Sequence, residues 1–330
     1  MLSFLQLIHL IEMFSVIIPL YNKAPYITKA IQSVLNQTFS DYELIIIDDG
    51  STDGGGEIAE SILKNTSISF QVIIQANQGV SMARNNGVKV ANFEYIAFLD
   101  ADDWWEPTFL EEMNQLRLNY PNAGIWASSY FIVKNGRRRI APIGVSSDFV
   151  QGEIDYFKVY AKTLTMPVWT GAVVLPKSVI NATGGFKQSL KLGEDFDLWV
   201  RIVQSHSVVL LNKPLSNYNQ DVDVKNRAIG EKLYEPSEHM LFTEYGDLMM
   251  NEKFKPLFDR LAVYGLLPYY LKGKNKYNVD MILSSVIWVN QSMIYRVYYK
   301  LIPRFLVVSL IKVIWFLSFI KCHLYTFLKK

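Results

Sequence analysis

The first hundred residues alternate short, wholly apolar runs with segments whose apolar positions recur three and four apart. Ser15-Val16-Ile17-Ile18-Pro19 is a continuous apolar run, the pattern of a strand buried on both faces of a parallel sheet. Residues 25–37 follow with Ile27, Ala30, Ile31, Val34 and Leu35 on one side of a helix, and Pro25 suits its first turn. Glu43–Ile47 predicts a second strand, stopped by Asp48-Asp49-Gly50-Ser51. A helix over 57–64, a strand over 70–75, a polar turn at Asn77-Gln78-Gly79 and a helix over about 80–91 come next. Gly54-Gly55-Gly56 reads as a flexible turn. Tyr95–Leu99 predicts a fourth strand, closing on Asp100-Ala101-Asp102-Asp103. This alternation predicts an α/β fold with a mostly parallel sheet and helices on both faces. Ligands of such sheets sit beyond the carboxyl ends of the strands, so the polar clusters that follow the first, second and fourth strands share one edge.

The pattern then changes. Residues 125–190 are strand-like and rich in turn residues, and are expected to complete the sheet and rim a cleft. One helix is predicted over 193–205, opened by Gly193-Glu194-Asp195. Beyond 221 the pattern is largely helical and carries no chemical cluster. The predicted organisation is an extension over 1–12, a domain over 13–220 and a helical region over 221–330.

Composition narrows the class. A chain of 330 residues, half of them hydrophobic, has ample material for a core and is not a disordered one. A single cysteine, Cys322, excludes a disulfide framework and a cysteine-based zinc site. The histidines (His9, His206, His239, His323) form no His-x-x-x-His pair. The net charge of +2 points to no nucleic-acid partner, yet it is a cancellation. Residues 1–220 carry 17 Lys+Arg against 21 Asp+Glu, and residues 221–330 carry 16 against 10. From Lys272 onward the one acid is Asp280. The stretch Phe305–Ile320, broken only by Ser309, Lys312 and Ser318, is shorter than the roughly 20 residues of a membrane span. It suits a basic amphipathic helix lying on an anionic cytoplasmic leaflet, or a helix packed on protein. The start MLSFLQLIHLIEMF lacks the basic region and small-residue cleavage site of a secretion signal, so residues 1–12 read as a dispensable extension ahead of Met13.

Asp100-Ala101-Asp102-Asp103 puts three carboxylates within four residues, which repel unless a cation or donors neutralise them. One answer is Mg²⁺ or Mn²⁺ held through one or two carboxylates, with substrate phosphates filling its other sites. The other is that Asp102 or Asp103 caps the next helix. Asp48-Asp49-Gly50-Ser51-Thr52-Asp53 can hold a ribose hydroxyl or base N–H, or can simply be turn chemistry. Tyr21 can stack on a base or wall the core. Arg84 offers a planar fork to a base or phosphate, or a surface ion pair. Glu194 and Asp195 lie at a helix N-terminus, where a carboxylate can cap or can serve as a general base.

Taken in order, five segments resemble the family 2 glycosyltransferases of GT-A fold. They are Val16-Ile17-Ile18-Pro19-Leu20-Tyr21-Asn22, Ile47–Asp53, Ala83-Arg84-Asn85, Phe98–Asp103, and Gly184-Gly185-Phe186 followed by Glu194–Arg201. The resemblance covers about 14–220. It implies transfer of one sugar from a nucleotide-sugar donor to an acceptor hydroxyl, with inversion, in synthesis of a cell-surface polysaccharide or lipid-linked glycan. It further implies that Pro19, Tyr21, Asn22, Asp49 and Arg84 hold the donor nucleoside, and that Asp100 reaches its ribose side. Asp102 would hold the divalent metal on the diphosphate, with Asp100 sharing it and Asp103 a subsidiary candidate. Asp195 would be the base, with Glu194 the second choice. No late histidine offers an evident third metal contact. The Gln-x-x-Arg-Trp segment and the multiple spans of processive synthases are missing, which favours a single addition, while the basic, apolar tail suits an enzyme peripheral at the inner face of the plasma membrane. Two other classes compete: a haloacid-dehalogenase-type phosphohydrolase, which also uses Asp-x-Asp after a strand, and a non-catalytic nucleotide- or sugar-binding module.

Overall fold

The computed structural model describes residues 13–222, 233–243, 251–303 and 306. The chain forms two compact units that part between Met240 and Leu241. In the first, β1 (Phe14–Leu20) and β2 (Tyr42–Asp48) are buried along their whole length. The apolar run of β1, broken only by Ser15, reflects that position: it pairs in parallel with β2 on one side and with β4 (Tyr95–Phe98) on the other. β3 (Ser69–Ile74) adds in parallel to β2. The parallel block is therefore ordered β3-β2-β1-β4, and its carboxyl ends share an edge as the pattern predicts. Pro19 lies in a central strand, where a missing N–H is normally costly. The cost is avoided because β4 pairs with β1 only as far as Ile17.

The remaining strands extend the sheet with mixed polarity. β9 (Val173–Pro176) runs antiparallel to β4 and β6 (Ile125–Lys134), and β10 (Val208–Asn219) lies parallel to β6. The short strands β7 (Arg137–Ile140) and β8 (Gln151–Ile154) flank them, and helices α5 (Tyr156–Thr163) and α6 (Lys177–Ala182) follow β8 and β9. Helix α1 (Ala24–Leu35) buries Ile27, Ala30, Ile31 and Val34, the stripe its sequence shows. Helix α3 (Val80–Val90) packs close enough to β1 that a Cβ on Gly87 would stand 2.5 Å from Ile17 Cγ2.

Two predicted boundaries move, each for a local reason. Helix α2 (Gly55–Leu63) starts inside the glycine run rather than after it. Gly54 takes a left-handed φ of 84°, Asp53 Oδ1 accepts from Gly55 N at 3.1 Å, and a Cβ on Gly56 would lie 2.2 Å from Asp48 Oδ2. The glycines here make a tight helix start over a carboxylate. After the Asp100–Asp103 turn no helix begins at once. Instead β5 (Trp104–Trp105) adds to the edge of β10, and α4 (Phe109–Asn119) starts later with Thr108 as its N-cap. Asp102 and Asp103 are therefore not helix caps.

The second unit is helical where described: α8 (Lys255–Gly265), α9 (Leu267–Lys272), α10 (Lys276–Ser284) and α11 (Met293–Arg296). Phe254, Leu257, Phe258, Ala262, Val279 and Ile282 form its interior. Asp259 is buried there, ion-paired to Lys255 and accepting from Ile287 N at 2.9 Å. Among the described residues no helix is long and apolar enough to cross a membrane. The expected extension over 1–12 and nearly all of the expected helix over 305–320 lie outside the described residues.

Gly87→Ala tests the closeness of α3 to the sheet. The added methyl meets the branched, immobile side chain of Ile17 and should cost about 1–3 kcal/mol, read as a lowered denaturation midpoint at unchanged slope.

Candidate active site

Three of the loops that follow the parallel strands are locked to one another by their own polar side chains. Asn22, with φ at 50°, donates its N–H to Ser51 Oγ at 3.1 Å, and its Oδ1 accepts from Thr52 N at 2.9 Å. An asparagine tolerates that left-handed backbone better than most residues. Asp49 is buried and its carboxylate accepts three bonds, from Gln75 Nε2 at 2.7 Å, Gln78 N at 2.9 Å and Gly79 N at 2.7 Å. It thereby shapes the turn that leads into α3. Tyr21, just past the end of β1, is 49% exposed and open to a stacking partner, whereas Pro19 is buried in β1.

Arg84 is the centre of the site. It is buried, donating through Nη2 to Asp100 Oδ1 at 2.8 Å and through Nη1 to Glu194 Oε1 at 3.0 Å, with its guanidinium 5.2 Å from the Phe186 ring centre. Burial works against its charge, but Asp100, Glu194 and Asp195 outweigh that and hold the guanidinium above its ordinary pKa. The neighbouring Asn85 clamps Phe186 from both sides: its Nδ2 donates to the Phe186 carbonyl at 2.7 Å and its Oδ1 accepts from Phe186 N at 2.9 Å. Arg201 donates to the carbonyls of Thr183 and Gly185 while paired with Asp197, so the Gly184-Gly185-Phe186 loop is tied to helix α7 (Glu194–Ile202) as well. Gly185 is required by this clamp, since a Cβ there would lie 2.6 Å from Asn85 Oδ1.

The Asp100–Asp103 turn spreads its carboxylates rather than focusing them. Asp100 faces Arg84. Asp102 meets Lys23 Nζ at 2.5 Å. Asp103 is buried and turned to the far strands, accepting from Asn219 N at 2.8 Å and Trp169 Nε1 at 3.2 Å. Burial raises the pKa of Asp102, helped by Asp100 and opposed by Lys23. Burial, then Asp102 and Asp100, raise Asp103 well above the usual carboxylate range. Among the described residues no three acidic, histidine or cysteine side chains converge as a ready metal cage. Asp100 and Asp102, both part-exposed, fit the other class of cation site, in which one or two carboxylates act with donor phosphates. His239 is buried, and its backbone bridges to Leu192, next to the Gly193 that opens α7.

Asp195 occupies the first turn of α7. Gly193 takes the N-cap position, so Glu194 and Asp195 stand at the first two helical positions rather than at the cap itself. Asp195 Oδ2 accepts from Thr170 Oγ1 at 3.1 Å and Oδ1 from Phe196 N at 2.7 Å. Burial first, then Glu194, pushes its pKa up to about 6, against the pull of Arg84. Trp169, beside Thr170, lies against Tyr130 and Tyr218 with ring centres 5.7 and 4.1 Å away. Lys23, Thr170, Trp169 and Tyr218 are the members sequence reasoning did not single out. Only Lys23, next to Tyr21-Asn22, carried a positional hint.

The family description Glycosyl transferase family 2 matches residues 15–174. An uncharacterized glycosyltransferase of Rickettsia felis is 33% identical over 202 residues, 61% of this chain and 32% of that protein. Glycosyltransferase GlyA of Streptococcus pneumoniae is 29% identical over 265 residues, 76% of this chain and 36% of that protein. The chain spans about a third of the length of these curated relatives. Among solved structures, S. aureus TarS 1-349 in complex with UDP-GlcNAc matches with a TM-score of 0.57 at 20% identity, covering 88% of this chain and 76% of that one, which shows the shared GT-A fold.

Arg84→Met tests the centre of the site. Two carboxylates lose their shared cation, and stability should fall by about 2–3 kcal/mol, below the full cost of breaking a buried pair because Asp100 keeps some contact with water. Chemical denaturation at pH 7.5 or thereabouts reads the loss.

Proposed function

We propose that the protein, whose residues 15–174 match the description Glycosyl transferase family 2, is such an enzyme and transfers a single sugar from a nucleotide-sugar to an acceptor hydroxyl, with inversion. The observation that carries this reading is the placing of two acid sets on either side of one buried cation. On the sheet side Asp100 and Asp102 are part-exposed; on the helix side Asp195 has a pKa of about 6; and Arg84 bridges Asp100 to Glu194. A base with that pKa is largely ionised at neutral pH while keeping a useful proton affinity. Thr170 and the Phe196 N–H orient it.

The chemistry needs no covalent intermediate. Asp195 takes the proton of the acceptor hydroxyl as its oxygen bonds to the anomeric carbon, and the bond from that carbon to the diphosphate breaks in line. Glu194 is engaged by Arg84, which leaves Asp195 the better base. Tyr21 offers its exposed ring to the base of the nucleotide, and the Asp49-shaped turn lines the same edge. Asn22, Asp49 and Arg84 act by setting loop and carboxylate positions, and Pro19 by stopping the β1–β4 ladder beside the nucleotide edge. Asp100 and Asp102 would hold Mg²⁺ or Mn²⁺, whose chemistry is to offset charge on the departing diphosphate. The complex of TarS with UDP-GlcNAc makes a uridine diphosphate sugar the first donor to test.

The acceptor we propose is a saccharide or lipid-linked saccharide met at the inner face of the plasma membrane. The basic balance of residues 221–330 supports this, as do the exposed Tyr277, Met281, Val289 and Met293 of the second unit. Co-sedimentation with phosphatidylglycerol vesicles should therefore exceed that with phosphatidylcholine and fall with salt. Equal binding to both would refute the electrostatic part of this reading.

Asp195→Asn should lower turnover by about 10²–10⁴-fold while leaving UDP-sugar affinity within twofold. The wild-type rate should fall tenfold per pH unit below about 6, as Asp195 becomes protonated. Unchanged turnover in the variant, or a flat acid limb down to pH 5 or so, would remove Asp195 as the base.

A further inference from the structure

The two site carboxylates on the sheet side are neutralised by different kinds of cation, and the difference has a use. Asp100 is paired with Arg84, which is buried, held at both ends by carboxylates and stacked near Phe186. That fork cannot leave without exposing Glu194. Asp102 is paired with Lys23, whose single ammonium sits on a flexible stem at the head of α1, with both side chains part-exposed at 16% and 19%. A lysine is a point charge that can swing; a locked arginine is not. Lys23 also follows Tyr21-Asn22 directly, so it stands on the loop that faces the nucleotide edge.

We propose that Lys23 is an exchangeable counter-ion that becomes a donor-positioning residue. Before the donor arrives it neutralises Asp102. When a divalent cation and the diphosphate occupy the site, Asp102 passes to the cation and the ammonium of Lys23 turns to a diphosphate oxygen. The swap keeps Asp102 paired in both states and denies the bare metal a free carboxylate, so that metal and diphosphate bind as a pair. No bond is made or broken, and no proton moves. This inference rests on the reading of Asp100 and Asp102 as a cation site completed by phosphate.

The test uses the full-length protein with Mn²⁺ alone and with Mn²⁺ plus inorganic pyrophosphate, followed by the electron paramagnetic resonance of the free and bound ion. Lys23→Met should tighten Mn²⁺ alone by roughly three- to tenfold, because the metal no longer competes with an ammonium for Asp102. The same variant should weaken pyrophosphate binding to the Mn²⁺-loaded protein by a similar factor. Lys23→Arg, which keeps a cation on Asp102, should not tighten Mn²⁺. A merely structural role for Lys23 would weaken both measurements, and that outcome would overturn the proposal, as would an unchanged Mn²⁺ affinity in Lys23→Met. Asp102→Asn separates the two levels of the argument. If it abolishes Mn²⁺ binding while Lys23→Met has no effect, the cation site stands and the exchange falls. If neither the wild type nor any variant binds Mn²⁺, with or without pyrophosphate, the cation site falls and takes the exchange with it.

Discussion

The site depends on one buried guanidinium. Arg84 projects from α3 between the end of β4 and the start of α7, and each of those elements delivers a carboxylate to it. Without a cation there, Asp100, Glu194 and Asp195 would concentrate negative charge in a region where little water can dissipate it. With it, the sheet-side acids and the helix-side acid sit at fixed positions on either side of a shared partner. Asn85, the next residue, fastens the Gly184-Gly185-Phe186 loop by two backbone bonds, so one turn of helix positions three separate segments.

A second connector runs alongside. Trp169 reaches Asp103 and its neighbour Thr170 reaches Asp195, so two adjacent residues touch the acid clusters from β4 and from α7. Acids that are neighbours in sequence thereby acquire different duties. Asp103 is a buried tie to β10, Asp100 answers Arg84, and Asp102 keeps the one partner able to move away. Glu194 is held by Arg84, while Asp195 is raised into the range of a neutral-pH base. Environment, rather than residue type, separates these carboxylates, because each differs in burial and in the partner it meets.

Much of this was legible in the chain. The apolar runs of β1, β2 and β4 and the stripe of α1 dictate parallel strands with covering helices, and parallel strands oblige their carboxyl ends to share an edge. The polar clusters after those strands therefore had to meet there. Two boundaries were not legible, and both were decided by contacts beyond the local pattern. Gly55 and Gly56 open a helix, with Gly54 before it as the left-handed cap, and Asp48 fills the space a side chain at 56 would need. Trp104-Trp105 forms an edge strand because β10, a hundred residues later, offers it a partner.

The sequence by itself determined the fold class, the edge on which the chemistry gathers and the residue types available there, because local periodicity and strand polarity follow from which side chains must leave water. Only the tertiary structure decided which acid pairs with which cation. Ion pairing is set by distance and burial, and the pairs that matter here join residues 16, 79 and 110 positions apart, separations no local pattern encodes. The same holds for Lys23: in the chain it is one lysine at the head of a helix, and only folding sets it against Asp102.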